Sequence, residues 1–241
     1  MIKLFADGAD WRGIEAAADD KRISGFTTNP TLMRAAGVTN YTDFATFAIA
    51  YLAKNRPETS LSLEVFADDE ENIIRQARKI SDWGDSVMYR VYVKIPVMFT
   101  DGKPTYGLIK KLANEGINLN VTAVFTGEQC LNVIDSLDDK TPHILSIFAG
   151  RIADAGSSPR IPFIQAHSYR LETNKHNIQT LWASSREAYN YIDAEQTGAD
   201  IITMTPDLIK KVKGFGKDLG QFSLETCRMF HTDAAASGFE L

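Results

Sequence analysis

Short β-branched or apolar runs alternate with longer amphipathic stretches from one end of the chain to the other. The runs at 2–6, 25–28, 61–66, 91–95, 119–124, 144–148, 180–183 and 201–204 read as strands. Between them, residues 70–81 set Ile73, Ile74, Ala77 and Ile80 at helical spacing, and 107–115, 127–136 and 186–197 read the same way. Strands separated by helices form βαβ units and a parallel sheet. Eight such units in 241 residues, with no Pro/Gly/Ser linker dividing them, predict an α/β protein with one domain over 1–241, a single closed (β/α)8 TIM barrel. An open doubly wound sheet is the alternative, but no G-x-G-x-x-G turn follows the first strand. Two segments exceed the minimal unit. Residues 39–57 read as an extra helical stretch, and 222–236 read as a C-terminal amphipathic helix carrying Leu224, Cys227, Phe230 and Ala234.

Side chains alternate between the two faces of a strand, and a barrel interior is normally filled with apolar bulk. Polar residues at interior parity, late in several strands, are therefore the informative ones. Lys94 lies between Val93 and Ile95, Ser62 and Glu64 share the face opposite Leu61 and Leu63, and Asn118, Asn120 and Thr122 oppose Leu119, Val121 and Ala123. Asp7 follows the first strand, and Thr27 with Asn29 follows the second. Taken alone, Lys94 could be an edge-strand lysine facing solvent. Set on one interior with Asp7, Glu64, Asn120 and Thr122, it reads as a desolvated amine able to attack a ketone and form a Schiff base. Lys3 shares the parity of Asp7 but stands at the non-catalytic start of its strand.

Composition narrows the field. With 26 basic and 31 acidic side chains the formal charge is −5, which argues against nucleic-acid binding and leaves small anions open. Cys130 and Cys227 stand far apart with no metal-ligand spacing, and His143, His167, His176 and His231 are scattered, so they read as packing or surface residues and no metal is expected. No secretory signal or bilayer-length apolar run is visible, so a soluble cytoplasmic protein without membrane partners is expected.

The segments FADGAD, GFTTNPTLM, SLEVFADD, YVKIPV, NVTAVFT, ILSIFAGRIADAG, WASSRE and ADIITMT resemble, in order and spacing, the transaldolase family. The overall size is similar to its short-type members, which include fructose-6-phosphate aldolases. The resemblance implies a (β/α)8 barrel in which Lys94 forms the Schiff base, Asp7 moves the proton of the C4 hydroxyl, and Glu64 with Thr122 orients a catalytic water. It also implies that Asn29 and Asn120 hold the three-carbon unit, that Thr27, Ser146 and Phe148 help bind substrate, and that Arg151, Ser184 and Arg186 bind the phosphate.

Arg186 is further expected at the start of a helix, where backbone N–H groups would reinforce it, although either arginine alone could belong to a surface ion pair. No cofactor is implied. The partners implied are sugar phosphates and, through the terminal helix, other copies of the chain in a homo-oligomer such as a decamer. In the aldolase subgroup a glutamine stands where Glu64 stands here and a tyrosine where Phe148 stands, so both positions side with transaldolase. Transfer from a sulfonated ketose, aldolase activity releasing dihydroxyacetone, and a catalytically dead binding barrel are the alternatives.

Overall fold

The computed structural model describes residues 2–240. Its strands are β1 (Lys3–Asp7), β2 (Ile23–Thr27), β3 (Ser60–Glu64), β4 (Arg90–Pro96), β5 (Leu119–Val124), β6 (His143–Ile147), β7 (Ile178–Trp182) and β8 (Ile201–Met204). The helices of the first half are α1 (Trp11–Ala18), α2 (Pro30–Ala35), α3 (Tyr41–Asn55), α4 (Glu70–Asp85), α5 (Tyr106–Asn114) and α6 (Gly127–Ser136). Those of the second half are α7 (Ala149–Asp154), α8 (Arg160–Glu172), α9 (Asn190–Gln196), α10 (Pro206–Val212) and α11 (Leu219–Ser237). The strands close in chain order, all parallel, with β8 returning to β1. That is the (β/α)8 barrel expected from the alternation of runs.

Strand parity divides the apolar residues into two sets. Outward-facing Leu61, Leu63, Val93, Ile95, Val121 and Leu145 meet Ile73, Ile80, Leu112 and Ile134 of the helices in one continuous core. Inward-facing Phe5, Tyr92, Ile144, Leu181 and Ile201 form a second, smaller cluster with Phe148 against it. This inner cluster fills the barrel below the ends of the strands, so the polar residues late in each strand stand on an apolar floor. Gly25 is part of the fit: a Cβ there would come within 2.5 Å of the Phe5 ring.

Several details depart from the pattern. The extra stretch at 39–57 is α3, which starts at Tyr41 behind the Asn40 cap. Residues 186–197 do not form one helix. The N–H groups of Arg186 and Glu187 both donate to Asn190 Oδ1, closing a turn, and α9 begins only at Asn190. Strand parity also fails at the end of β5, where one extra residue enters the pairing with β6 and Ala123 takes φ +58°. This bulge turns Ala123, read as outward, toward the top of the barrel, while Val124 is fully buried.

α11 buries none of its side chains, and Leu219, Phe222, Met229 and Phe230 are all more than half exposed. Its apolar stripe therefore does not serve its own barrel. Among the described residues no helix is long and apolar enough to cross a membrane, Cys130 is buried, and Cys227 is exposed.

Candidate active site

A cavity of about 540 Å³ opens at the C-terminal ends of the strands. Asp7, Thr27, Asn29, Glu64, Lys94, Thr122, Ser146, Phe148, Arg151, Ser184 and Arg186 line it. Of the residues to which the family resemblance gives a role, only Asn120 does not line it, being fully buried beneath the cavity wall; Ser62 and Asn118, also read at interior parity, do not line it either.

Lys94 is the centre of the site. Register brings Glu64 of β3 opposite Lys94 of β4, and Lys94 opposite Asn120 of β5. Lys94 Nζ stands 2.9 Å from Glu64 Oε2 and donates to the Thr28 carbonyl at 2.9 Å. With side-chain exposures of 8% and 16%, the pair is close to fully withdrawn from water. The backbone of Glu64 is pinned in turn, since Tyr41 Oη donates to its carbonyl at 2.8 Å. Beneath the lysine, Ser146 Oγ donates to Asn120 Oδ1 at 2.7 Å and Asn120 Nδ2 donates to Ser62 Oγ at 3.0 Å. A buried amide anchored on both sides has one orientation, which gives the floor of the site a fixed pattern of donors and acceptors.

Asp7 faces this group from β1. Thr27 Oγ1 donates to its Oδ1 at 2.7 Å. Burial pushes the Asp7 carboxyl above the usual carboxylate range, and Glu64 adds to the rise, while the Thr27 bond and the Lys94 charge pull it back. A carboxyl held up in this way, beside an amine and open to a cavity, holds its proton more readily than a free carboxylate and is placed to exchange it with a bound molecule. Thr122 Oγ1 is buried and finds no partner among the described residues. It is therefore available to whatever enters the cavity. Asn29 spends its Oδ1 on the Leu32 N–H as the cap of α2, which leaves its NH2 group to present to the cavity.

The other end of the cavity is built from loops. Arg151, on α7, places its guanidinium 5.9 Å from the centre of the Phe148 ring. Ser184 takes φ +64°, and its carbonyl passes so close to Gly150 that a Cβ there would lie 1.7 Å away. Arg186 stands on no helix N-terminus, and its guanidinium is paired with Asp154 at 2.5 Å. That correction matters: the expected helix N–H groups begin four residues later, and the neighbouring N–H groups already serve Asn190. Arg151 and Arg186 bring positive charge to this end beside the Ser184 hydroxyl, with one arginine charge offset by Asp154.

Parity reasoning overlooked Thr203, which also lines the cavity. In the run Ile201–Met204 it is the one polar residue, at interior parity and late in β8, so the signal was present. Among the described residues no group of three His, Cys, Asp or Glu side chains is placed to hold a metal ion.

Comparison with known proteins supplies the remaining context. The family model described as Transaldolase/Fructose-6-phosphate aldolase matches residues 4–240. A protein of Dehalococcoides mccartyi named "Probable transaldolase" is 32% identical over 207 residues, covering 84% of this chain and 86% of that protein. One of Nitrosopumilus maritimus with the same name is 31% identical over 213 residues, covering 88% and 87%. A solved structure from Sinorhizobium meliloti, described as a "putative isomerase", superposes with a TM-score of 0.55 at 12% identity. That superposition covers 86% of this chain and 51% of the other, and the likeness is one of fold alone.

Proposed function

The chain belongs to the transaldolase/fructose-6-phosphate aldolase family, and we propose that it is a Schiff-base transaldolase. It moves a dihydroxyacetone unit from a ketose phosphate such as fructose 6-phosphate or sedoheptulose 7-phosphate to an aldose such as glyceraldehyde 3-phosphate or erythrose 4-phosphate. The observation that carries the proposal is the seat of Lys94, with Nζ 2.9 Å from the Glu64 carboxylate on the floor of the cavity.

In the proposed reaction Lys94 gives up a proton to Glu64 and its Nζ attacks the C2 carbonyl carbon. The carbinolamine loses water with Glu64 as the proton carrier and Thr122 as the hydroxyl that orients the water. The product is a protonated imine. Asp7 then takes the proton of the C4 hydroxyl, and the C3–C4 bond breaks. Its electron pair passes to the imine nitrogen, the leaving half departs as an aldehyde, and Lys94 holds a neutral enamine. A second aldehyde reverses these steps: C3 of the enamine attacks it, Asp7 returns the proton, and water releases the new ketose. Glu64 can serve as a base where a glutamine cannot, and Phe148 brings no hydroxyl to hold water for the hydrolysis that would release dihydroxyacetone. Both residues support transfer over simple cleavage.

A second reading, transfer from a sulfonated ketose, is favoured by one feature. Asp154 offsets the charge of Arg186, which leaves the end of the cavity better matched to a singly charged anion. The test for both is borohydride trapping with fructose 6-phosphate and with 6-deoxy-6-sulfofructose, each with and without acceptor aldehyde. A reduced adduct on Lys94 and acceptor-dependent turnover support the proposal. The absence of any adduct would leave a barrel that only binds.

The proposed assembly is a homo-oligomer in which α11 packs on a neighbouring copy. A helix of 19 residues with no buried side chain and an exposed apolar stripe supports it.

A further inference from the structure

We propose that Thr203 is a positioning residue for Asp7, acting through Thr27 as the far end of a hydroxyl chain that sets how readily Asp7 gives and takes its proton. The proposal rests on the reading of Asp7 as the group that moves the C4 hydroxyl proton. Thr203 makes no hydrogen bond to the lysine or to Asp7 among the described residues. Its Oγ1 lies 2.6 Å from Thr27 Oγ1, which lies 2.7 Å from Asp7 Oδ1. The two threonines come from β2 and β8, the two neighbours of β1, and their hydroxyls meet across the inner face of that strand. Register places Thr27 opposite Asp7 and Thr203 opposite Phe5, so the chain runs from the carboxyl down toward the apolar floor. Both threonines are nearly fully buried.

Counting hydrogens fixes the polarity. Each hydroxyl has one proton to give. When Asp7 is ionised, Thr27 donates to it, so the contact between the threonines is made with the Thr203 proton. Thr27 then accepts one hydrogen bond while donating another, and the accepted bond strengthens the donated one. The chain thus stabilises the carboxylate. When Asp7 is protonated, both donors can reverse by rotation about C–O bonds with no movement of heavy atoms. The charged groups facing Asp7 are Lys94 from β4 and Glu64 from β3. The adjacent β2 and β8 bring only hydroxyls, and Asp10 in the following turn is engaged by the Gly13 N–H.

A cooperative share of about 10–30% of a charge-assisted bond translates into a midpoint shift of roughly 0.1–0.7 pH unit. The test is a ¹³C-carboxyl NMR titration of Asp7 in the substrate-free protein, with the resonance identified by its loss in Asp7→Asn. Thr203→Val, which keeps the shape and removes the hydroxyl, should raise the Asp7 midpoint by that amount. Thr203→Cys, with a weak donor, should shift it in the same direction, and Thr203→Ser should restore the wild-type value. An unchanged midpoint in Thr203→Val and Thr203→Cys overturns the proposal. So does a shift that Thr203→Ser fails to restore, because the methyl packing would then be responsible. Since no substrate is present, the titration decides the relay whatever the enzyme transfers, while borohydride trapping at Lys94 decides the reaction whatever Thr203 does.

Discussion

Replacing Glu64 by glutamine separates the structural and the chemical roles of the ion pair at the centre of the site. The carboxylate stands 2.9 Å from Lys94 Nζ, with both side chains largely buried. At an effective dielectric near 20 and roughly 4 Å between charge centres, the gross attraction is about 4 kcal/mol. Removing one partner of a fully buried pair costs about 3–5 kcal/mol. Glutamine keeps the shape and one acceptor for Nζ, so a loss of about 1–3 kcal/mol is expected here, within the 5–15 kcal/mol typical of a folded domain. The chemical loss is larger. Removing a proton carrier costs about 10²–10⁴-fold, equivalent to roughly 3–5 kcal/mol in the barrier. Glu64→Gln should therefore stay folded while forming its imine slowly. The assay is quenched-flow borohydride trapping with fructose 6-phosphate, read by intact mass, with a thermal melt to check the fold. The trapping rate should fall by that factor while the final adduct stoichiometry is kept. The ratio of released dihydroxyacetone to transferred product should rise. A trapping rate within threefold of wild type would refute the assignment of Glu64 to carbinolamine dehydration.

The same geometry makes further claims. Asp7→Asn should abolish C3–C4 cleavage yet leave the imine trappable and raise the melting temperature at neutral pH. Burial raises the folded Asp7 value, so its ionisation costs stability once the pH exceeds the unfolded carboxylate range. Arg186→Ala should lower kcat/KM about 10- to 30-fold for charged ketoses and leave dihydroxyacetone trapping unchanged; the range is modest because Asp154 already engages the guanidinium. His143 accepts from the Leu119 N–H at 3.2 Å and meets Asp138 at 2.9 Å, and burial, with Lys175 nearby, lowers its value below 6.5. Its stabilising effect is present above that value and is lost as the pH falls through the lower folded one, so denaturant midpoints should drop below about pH 6.5 and flatten in His143→Gln. Phe222→Asp combined with Phe230→Asp on α11 should reduce the mass found by light scattering without affecting the trapping of a single barrel, and a wild-type protein that is monomeric at micromolar concentration would exclude the assembly.

The barrel and most of its site were legible because two periodicities carry them. Alternation put Glu64, Lys94 and Thr122 on one face, and the apolar runs on either side fixed which face that was. Thr203 was equally legible by parity, but threonine is common in strands for its branching alone, so only the 2.6 Å contact with Thr27 distinguishes it. Ala123 was not legible. The bulge in β5 breaks the period by one residue, and nothing in an alanine announces φ +58°. The start of α9 failed for a different reason. Residues 186–197 are helical in composition, yet Asn190 turns its side chain back on two N–H groups and stops the helix from extending toward Arg186. Local side-chain bonds of this kind compete with helix and leave no periodic trace. Asn120 lies on the face that alternation assigned it, but its full burial below the cavity was not legible, because parity says which side of a strand a residue faces and nothing about what covers it.

The two ends of the cavity are built to different tolerances, and the difference follows from what each must do. In the proposed reaction, bond making at Lys94 requires atoms held to within about half an ångström, and the groups around it sit on barrel strands tied by contacts of 2.6–3.0 Å. Attraction between an arginine and an anion falls off only slowly with distance, so loops suffice for it. Arg151, Ser184 and Arg186 accordingly lie on a short helix and a turn, and the arginine pair with Asp154 is half exposed. Within the arginine end the close contact is made at Gly150, which, lacking a Cβ, lets the Ser184 carbonyl lie against α7. If this end takes the anion of the proposed substrate, changes in Arg186 or Asp154 retune which anion is accepted while leaving Lys94, Glu64 and Asp7 where they are. A change at Gly150 would push the Ser184 turn away from α7 and displace the anion end as a whole.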